Sequence, residues 1–228
     1  MNADANGRGD FGDEGTDDGR TKRPRSAFSL AILGVLGFLG IAGLLSLGVW
    51  QIERRAWKLD LIERVEQRVH AQPVAAPGPA GWSSVDAKTD EYLRITVSGH
   101  FLNNHETLVT AVTNNGAGYW VVTPFETKDG LTVLVNRGFV PPDRRDPALR
   151  TAGEVGGETT VTGLLRLTEP KGAFLRNNSP AAGRWFSRDV EAIAAAHGLT
   201  NVAPYFIDAD ATSNPGGFPV GGLTVIAF

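Results

Sequence analysis

YWVVTPFETKDGLTVLVNRGFVP, residues 119–141, is the stretch on which the fold is read. Two β-rich runs, Tyr119 to Glu126 and Leu131 to Phe139, flank Lys128-Asp129-Gly130. Asp-Gly between such runs predicts a hairpin, because glycine adopts the positive φ that a tight turn requires. The same two-residue period continues upstream. Leu93, Ile95 and Val97 alternate with Arg94, Thr96 and Ser98, a half-buried strand that begins at Tyr92 and ends near Gly99. Thr107 to Val112 follows as a second strand, then a loop over Thr113 to Gly118. Downstream, Thr159 to Leu167, Tyr205 to Asp208 and Leu223 to Phe228 read as further strands. Arg188 to His197 is helical, with Asp189 as N-cap and Gly198 as the residue that stops it. Residues 72–90 form a Pro/Gly/Ala-rich connector with a short helix. The fold class is therefore mainly β, an antiparallel barrel or sandwich over residues 72–228 with one or two short helices.

Ahead of this body lies AFSLAILGVLGFLGIAGLLSLGVW, Ala27 to Trp50, without a charge. A helix needs about 20 apolar residues to cross the hydrocarbon core, so the run predicts a transmembrane helix. It is longer than the apolar region of a cleaved signal peptide and lacks a small-residue exit, which favours an uncleaved anchor. Gly34, Gly37, Gly40 and Gly43 recur along it, either as a close-approach face for a second helix or as ordinary membrane composition. Residues 1–26 carry Asp4, Asp10, Asp13, Glu14, Asp17 and Asp18 early on, and read as a disordered tail unlike an Arg-rich transit peptide. Arg20, Lys22, Arg23 and Arg25 argue for a cytoplasmic N-terminus, but Arg54, Arg55 and Lys58 follow the span closely, so charge alone leaves orientation open.

The helix continues past the span over residues 51–71, until Pro73, as an interfacial segment. Trp50 and Trp57 lie two turns apart, and Gln51, Arg54, Arg55 and Lys58 complete a collar at headgroup depth. Plain lipid anchoring is one reading. The other is docking of an acidic partner or of haem propionates, since arginine presents a planar fork to carboxylates. Arg137, near the end of the hairpin's second strand, either grips a carboxylate or pairs with an acid on a neighbouring strand.

Composition narrows the chemistry. The 228 residues have net charge −3, which excludes a bulk nucleic-acid binder. Cysteine is absent and Met1 is the sole methionine, which excludes disulfides, iron–sulfur and thiolate zinc sites, cysteine nucleophiles and thioether copper ligation. No nucleophile elbow, phosphate loop, His-Glu-x-x-His or dinucleotide fingerprint is present. Asp208-x-Asp210-x-Thr212 opens like a calcium loop, but Pro219 stands where the bidentate glutamate belongs. His100 and His105 are spaced to meet across a turn, yet read as surface or cap residues with nothing clustered around them. A non-enzymatic role is expected.

Trp50-Gln51-x-x-Arg54-Arg55-x-Trp57-Lys58-x-x-Leu61-Ile62 after a membrane span resembles the opening signature of the Surfeit locus protein 1 family. Tyr119-x-Val121-Val122-Thr123-Pro124-Phe125, Leu134 to Pro141, Arg166-Leu167-Thr168-Glu169, Asn177-Asn178-x-Pro180, Trp185, Arg188-Asp189, Phe206 to Ala209 and Gly221-Gly222-x-Thr224 extend the resemblance in order. It implies an assembly factor, a chaperone-like protein for haem–copper cytochrome c oxidase. It also implies a bacterial inner-membrane location, a cytoplasmic N-terminus and a periplasmic β domain. The implied partners are the oxidase's large subunit, the haem-synthesis machinery and membrane lipid, with haem a as a transient cofactor. Trp50, Gln51, Arg54, Arg55, Trp57, Lys58 and Arg137 are the docking residues expected on this basis. Family members continue into an Arg-Asn-x-His-Leu stretch and a second membrane helix that carries the proposed haem ligand. This sequence ends at Phe228, so either a fragment or a shortened relative without that helix and its ligand is expected, and no axial ligand is assigned. The alternative function is an anchored periplasmic β-domain module that binds an unrelated ligand or partner; a tethered hydrolase would need an acid/base pair in a cleft.

Overall fold

The structure, a computed structural model, describes residues 26–173 and 175–224. The tail expected to be disordered and most of the strand expected over Leu223 to Phe228 lie outside the described residues. The chain divides into two units, Met1–Arg55 and Ala56–Phe228.

A single helix, α1, covers Ala27–Val69. Over its apolar part it is long and apolar enough to cross a membrane, and that window is 0% buried. Nothing lies within 4 Å of where a Cβ would stand at Gly34, Gly37, Gly40 or Gly43. In the second unit the last turns of α1 become amphipathic: Val65 is buried with Tyr92 and Leu164, and Leu61 and Val69 pack against them.

The strands of the body are β1 (Val74–Ala75), β2 (Arg94–Phe101), β3 (Thr107–Thr113), β4 (Gly116–Thr127), β5 (Thr132–Val140), β6 (Thr159–Leu167), β7 (Gly172–Ala173), β8 (Arg176–Asn177) and β9 (Val202–Ala209); helix α2 is Val190–Ala196. The expected hairpin is present as β4 and β5 around Gly130, at φ +73°. Five strands close on themselves. β2 pairs with β6, β6 with β9, β9 with β5 and β5 with β4, and β4 returns to β2 through Gly99↔Thr127, His100↔Glu126 and Phe101↔Phe125. Four seams are antiparallel, as expected, and β5–β9 is parallel. An odd ring demands this, since directions cannot alternate all the way round five strands.

Alternation along the strands makes two faces. Ile95, Val97, Phe125, Val133, Val135, Val161, Leu165, Ala203, Tyr205 and Ile207 fill the interior. Trp82 and Val85 of the connector pack against this cluster, and the Tyr205 hydroxyl donates to Pro77 O at 2.7 Å. Burial pushes that phenol up to about 12. The short helix expected in the connector is a 3-10 turn, Pro79–Ser84. On the outer face, Val109, Val122, Leu134 and Phe206 pack under Trp185, Val190 and Ile193. Asp189 caps α2 by accepting from Ala192 N at 3.1 Å, and Gly198 follows at φ +64°, both as the sequence predicts.

Two glycines carry information that the sequence pattern concealed. Gly99 does not end its strand; it pairs on one side with Thr159 and on the other with Thr127. A Cβ there would stand 2.0 Å from Glu126 O, so only glycine lets β2 and β4 meet and close the barrel. Gly118 lies inside β4, not in a loop, because the Phe139 ring and Val140 O occupy the space above it. The expected six-residue loop is thereby reduced to a two-residue turn at Asn114-Asn115.

Candidate functional site

The polar residues of the outer face converge on Asp208, which β9 delivers to a position 2% exposed. A carboxylate at that depth is stable only if its lone pairs are filled and its charge matched. Asn136 Nδ2 of β5 donates to Oδ1 at 2.7 Å, and Arg188 Nη1 donates to the same oxygen at 2.9 Å. Arg166 Nη1 of β6 donates to Oδ2 at 3.0 Å. Each arginine is also held by a second acid. Arg166 Nε lies 3.4 Å from Glu91 Oε1, while Arg188 binds Glu169 through Nε at 3.1 Å and Nη2 at 2.5 Å. Aromatic faces complete the enclosure, with Arg166 4.8 Å from the Tyr92 centroid and Arg188 4.6 Å from that of Phe206.

A second tier extends from this cluster into residues 168–190. Asn178 Oδ1 accepts from Phe186 N at 2.8 Å and Ser187 N at 3.2 Å, and Ser187 Oγ donates to Glu169 O at 2.7 Å. Asp189 Oδ2 accepts from Lys171 N at 2.8 Å, and Thr168 Oγ1 from Val190 N at 3.0 Å. The whole acts as a clasp that fastens a long excursion to the barrel wall. Burial alone would raise Glu169, but the hydrogen bonds and charge of Arg188 outweigh it and hold the carboxyl below its ordinary value. Burial likewise opposes the charge on Arg188, and Asp208 with Glu169 overcomes it, raising that guanidinium.

The direction for Glu169 has a consequence in acid. Its folded value lies below the unfolded 4.5, so its stabilisation is complete above about pH 4.5 and is lost as pH falls through the lower folded value. Thermal unfolding of the chain in detergent should give a midpoint steady from neutrality to about pH 5 that then declines. Glu169→Gln should lower the neutral midpoint and flatten that acid limb; an unaltered limb in the variant would show that another carboxylate governs it.

The sequence-predicted docking residues fall in different places. Trp50, Gln51, Arg54 and Arg55 belong to the first unit, and Trp57 and Lys58 to the second. All six are exposed. Arg54 Cζ lies 5.2 Å from the Trp50 ring centroid, and neither Arg54, Arg55 nor Lys58 has an acidic partner among the described residues. Arg137 is in a different setting, 3% exposed. It donates to Gly153 O, to Asn214 Oδ1 at 3.2 Å and to Asn103 Oδ1 at 3.5 Å, and stands 4.5 Å from the Phe101 centroid. Burial lowers its basicity, which Glu106 and Glu154 restore in part against Arg150. Its partners are carbonyl and amide oxygens, where an acid from a neighbouring strand was one expectation. It ties three loops to one end of the barrel, beside a cavity of about 230 Å³ lined by Thr160, Thr162, Ser213 and Asn214.

His100 does not meet His105. It lies 3.6 Å from Glu126, whereas His105 stands edge-on to His197 at 5.3 Å between centroids, and His197 shares a hydrogen bond with Thr107 Oγ1 at 2.8 Å. Burial, then the neighbouring His105, lowers His197. Among the described residues no three His, Asp or Glu converge in a metal-binding arrangement. Asp210, the second acid of the rejected calcium loop, pairs with Arg94 at 2.5 Å. In the sequence, Arg166, Glu169, Arg188 and Asp208 stand in motifs but belong to no predicted site. The available signal was charged residues at apolar-strand positions, as Arg166 and Asp208 are.

Toward haem, the described residues offer groups that suit its carboxylate end. Arg54, exposed beside the Trp50 indole and without an acidic partner among the described residues, carries the charge that a propionate pairs with. Among the imidazoles, His70 lies 3.5 Å from Glu66 and His105 stands edge-on to His197.

The family described as the SURF1 family matches residues 38–228. The chain is similar to Surfeit locus protein 1 of Mus musculus, 41% identical over 194 residues that cover 78% of this chain and 61% of that protein. It is 39% identical to Surfeit locus protein 1 of Homo sapiens over 197 residues, 78% and 63% of the two chains. It is also 39% identical to a SURF1-like protein of Monosiga brevicollis over 194 residues, 79% and 71%. Against the mouse and human proteins, it spans less than two thirds of their length, 61% and 63%.

Proposed function

Because the chain belongs to the SURF1 family, we propose that it is a membrane-anchored, non-catalytic assembly factor for haem–copper cytochrome c oxidase that assists haem a insertion into the large subunit. The apolar run of α1 anchors it in the bacterial inner membrane with the N-terminus cytoplasmic and the β domain periplasmic. Haem a is cargo in this reading, and the nascent subunit and the haem-synthesis machinery are the partners. The observation that carries it is a set of exposed cations without an acidic partner among the described residues, just past the apolar run of α1: Arg54 and Arg55 with Trp50 in the first unit, and Lys58 with Trp57 in the second. Gln51 supplies a neutral donor in the same turn. Docking is assigned to this exposed collar, and Arg137 holds the loops at the barrel's end.

Deleting the gene should lower haem a content and oxidase activity, and unchanged values in both would sink the proposal. In the complemented strain, the triple variant Arg54→Glu, Arg55→Glu, Lys58→Glu should reduce both by on the order of tenfold while the protein still reaches the membrane. Arg54→Lys with Arg55→Lys separates the two uses of the collar. Lipid anchoring tolerates the exchange, whereas carboxylate recognition by the planar fork does not. An intermediate loss with normal membrane content supports docking; full activity supports anchoring alone.

A further inference from the structure

The clasp uses the buried carboxylate of Asp208, 2% exposed, and its two arginines to hold a segment built of short turns and one hairpin of two-residue strands. Between Pro170 and Phe186 the sequence has no acidic residue, and its cations are Lys171, Arg176 and Arg184. β7 and β8 form one short hairpin there. A second loop is closed by Ser179 and Arg184, whose backbones exchange hydrogen bonds at 2.8 and 3.1 Å. Ala173, Leu175 and the Pro180-Ala-Ala-Gly183 tip are exposed and uncharged. Leu175 is 88% exposed and sits at φ +60°, where a branched side chain is sterically disfavoured. A leucine held both in water and in a strained conformation points to a contact made elsewhere. Lys171, Arg176 and Arg184 are exposed and have no acidic partner among the described residues.

We propose that the described residues of this double loop, 171–173 and 175–184, form a second membrane contact, whose apolar tips enter the headgroup layer while Lys171, Arg176 and Arg184 bind anionic lipid. Charge complementarity selects the occupant: three exposed cations, none with an acidic partner among the described residues, around uncharged tips match an anionic bilayer. Within the second unit, the clasp also runs without a break to the end of α1. Arg188 meets Asp208, Asp208 meets Arg166, Arg166 lies over Tyr92, and Tyr92 packs on Val65. The inference rests on reading α1 as a bilayer anchor.

The absence of cysteine makes a direct test possible. Single-cysteine forms of the full chain, Leu175→Cys, Val112→Cys and Leu44→Cys, are labelled with an environment-sensitive fluorophore in nanodiscs containing spin-labelled lipid. Quenching is expected at 44 in every disc, at 175 in discs with anionic lipid, and not at 112, which is 83% exposed in the β3–β4 hairpin. Raising salt should weaken quenching at 175 only, and each charge removed by Lys171→Gln, Arg176→Gln or Arg184→Gln should shift the docked fraction by about fivefold. Quenching at 44 without quenching at 175 overturns this inference and leaves the anchor standing. No quenching at 44 overturns the anchor, and this inference with it. Quenching at 175 that ignores lipid charge overturns the role given to the cations.

Discussion

Asp208→Ala should destabilise the body by about 3–5 kcal/mol, because it leaves Arg166 and Arg188 short of a buried counter-charge and Asn136 short of an acceptor. The remaining links, Arg166 to Glu91 and Arg188 to Glu169, do not compensate, since both acids already serve those arginines. Asp208→Asn keeps the volume and one acceptor, so its effect should be smaller, roughly half as large. The loss should fall first on the clasped segment. Amide exchange at Ser187 and Val190 should approach solvent rates before the barrel interior responds, because their donors depend on Asn178 and Thr168. Guanidinium unfolding of the three proteins measures the first effect and exchange mass spectrometry the second. If Asp208→Ala unfolds within about 0.5 kcal/mol of the parent chain, the cluster does not fasten the segment.

The second large effect is expected at the closing seam. Phe125 is 0% exposed, projects into the barrel and meets Phe101 edge-on at 4.9 Å with planes at 73°. The two residues are register partners in the β2–β4 pairing that completes the ring. Phe125→Ala therefore removes a core side chain and the aromatic contact across the seam, a cost of about 3–5 kcal/mol. Protection of Leu102 N, which donates to Pro124 O at 2.9 Å beside this pair, should fall more than protection on the β6–β9 seam. Val112→Ala, at an exposed position, should change stability by less than about 0.5 kcal/mol. Equal loss of protection on all seams would mean that closure adds nothing to local stability there.

Much of the arrangement was legible from residues near one another in the chain. The apolar run over Ala27 to Trp50, the hairpin around Asp129-Gly130, the β6 strand and the helix between Asp189 and Gly198 depend on hydropathy periods and local backbone preferences. Such signals act over a few residues, so no knowledge of the rest of the fold is needed. The exposed collar was legible for the same reason: its six residues lie within three turns of one helix.

What only tertiary structure decided were choices among distant partners. Gly99 reads as a strand terminus because glycine commonly stops a strand, and only a second strand pressing on its vacant Cβ position makes it a closure point. The parallel β5–β9 seam follows from the number of strands in the ring, which no single strand announces. Asp208 belongs to a charge network with Asn136, Arg166 and Arg188, 72, 42 and 20 residues away. Burial selected those partners, since low dielectric makes an unmatched charge costly, and burial is a property of the assembled barrel. The sequence by itself therefore determined which segments are greasy, alternating or capped; the three-dimensional packing determined which charges share a wall and which glycine closes the ring.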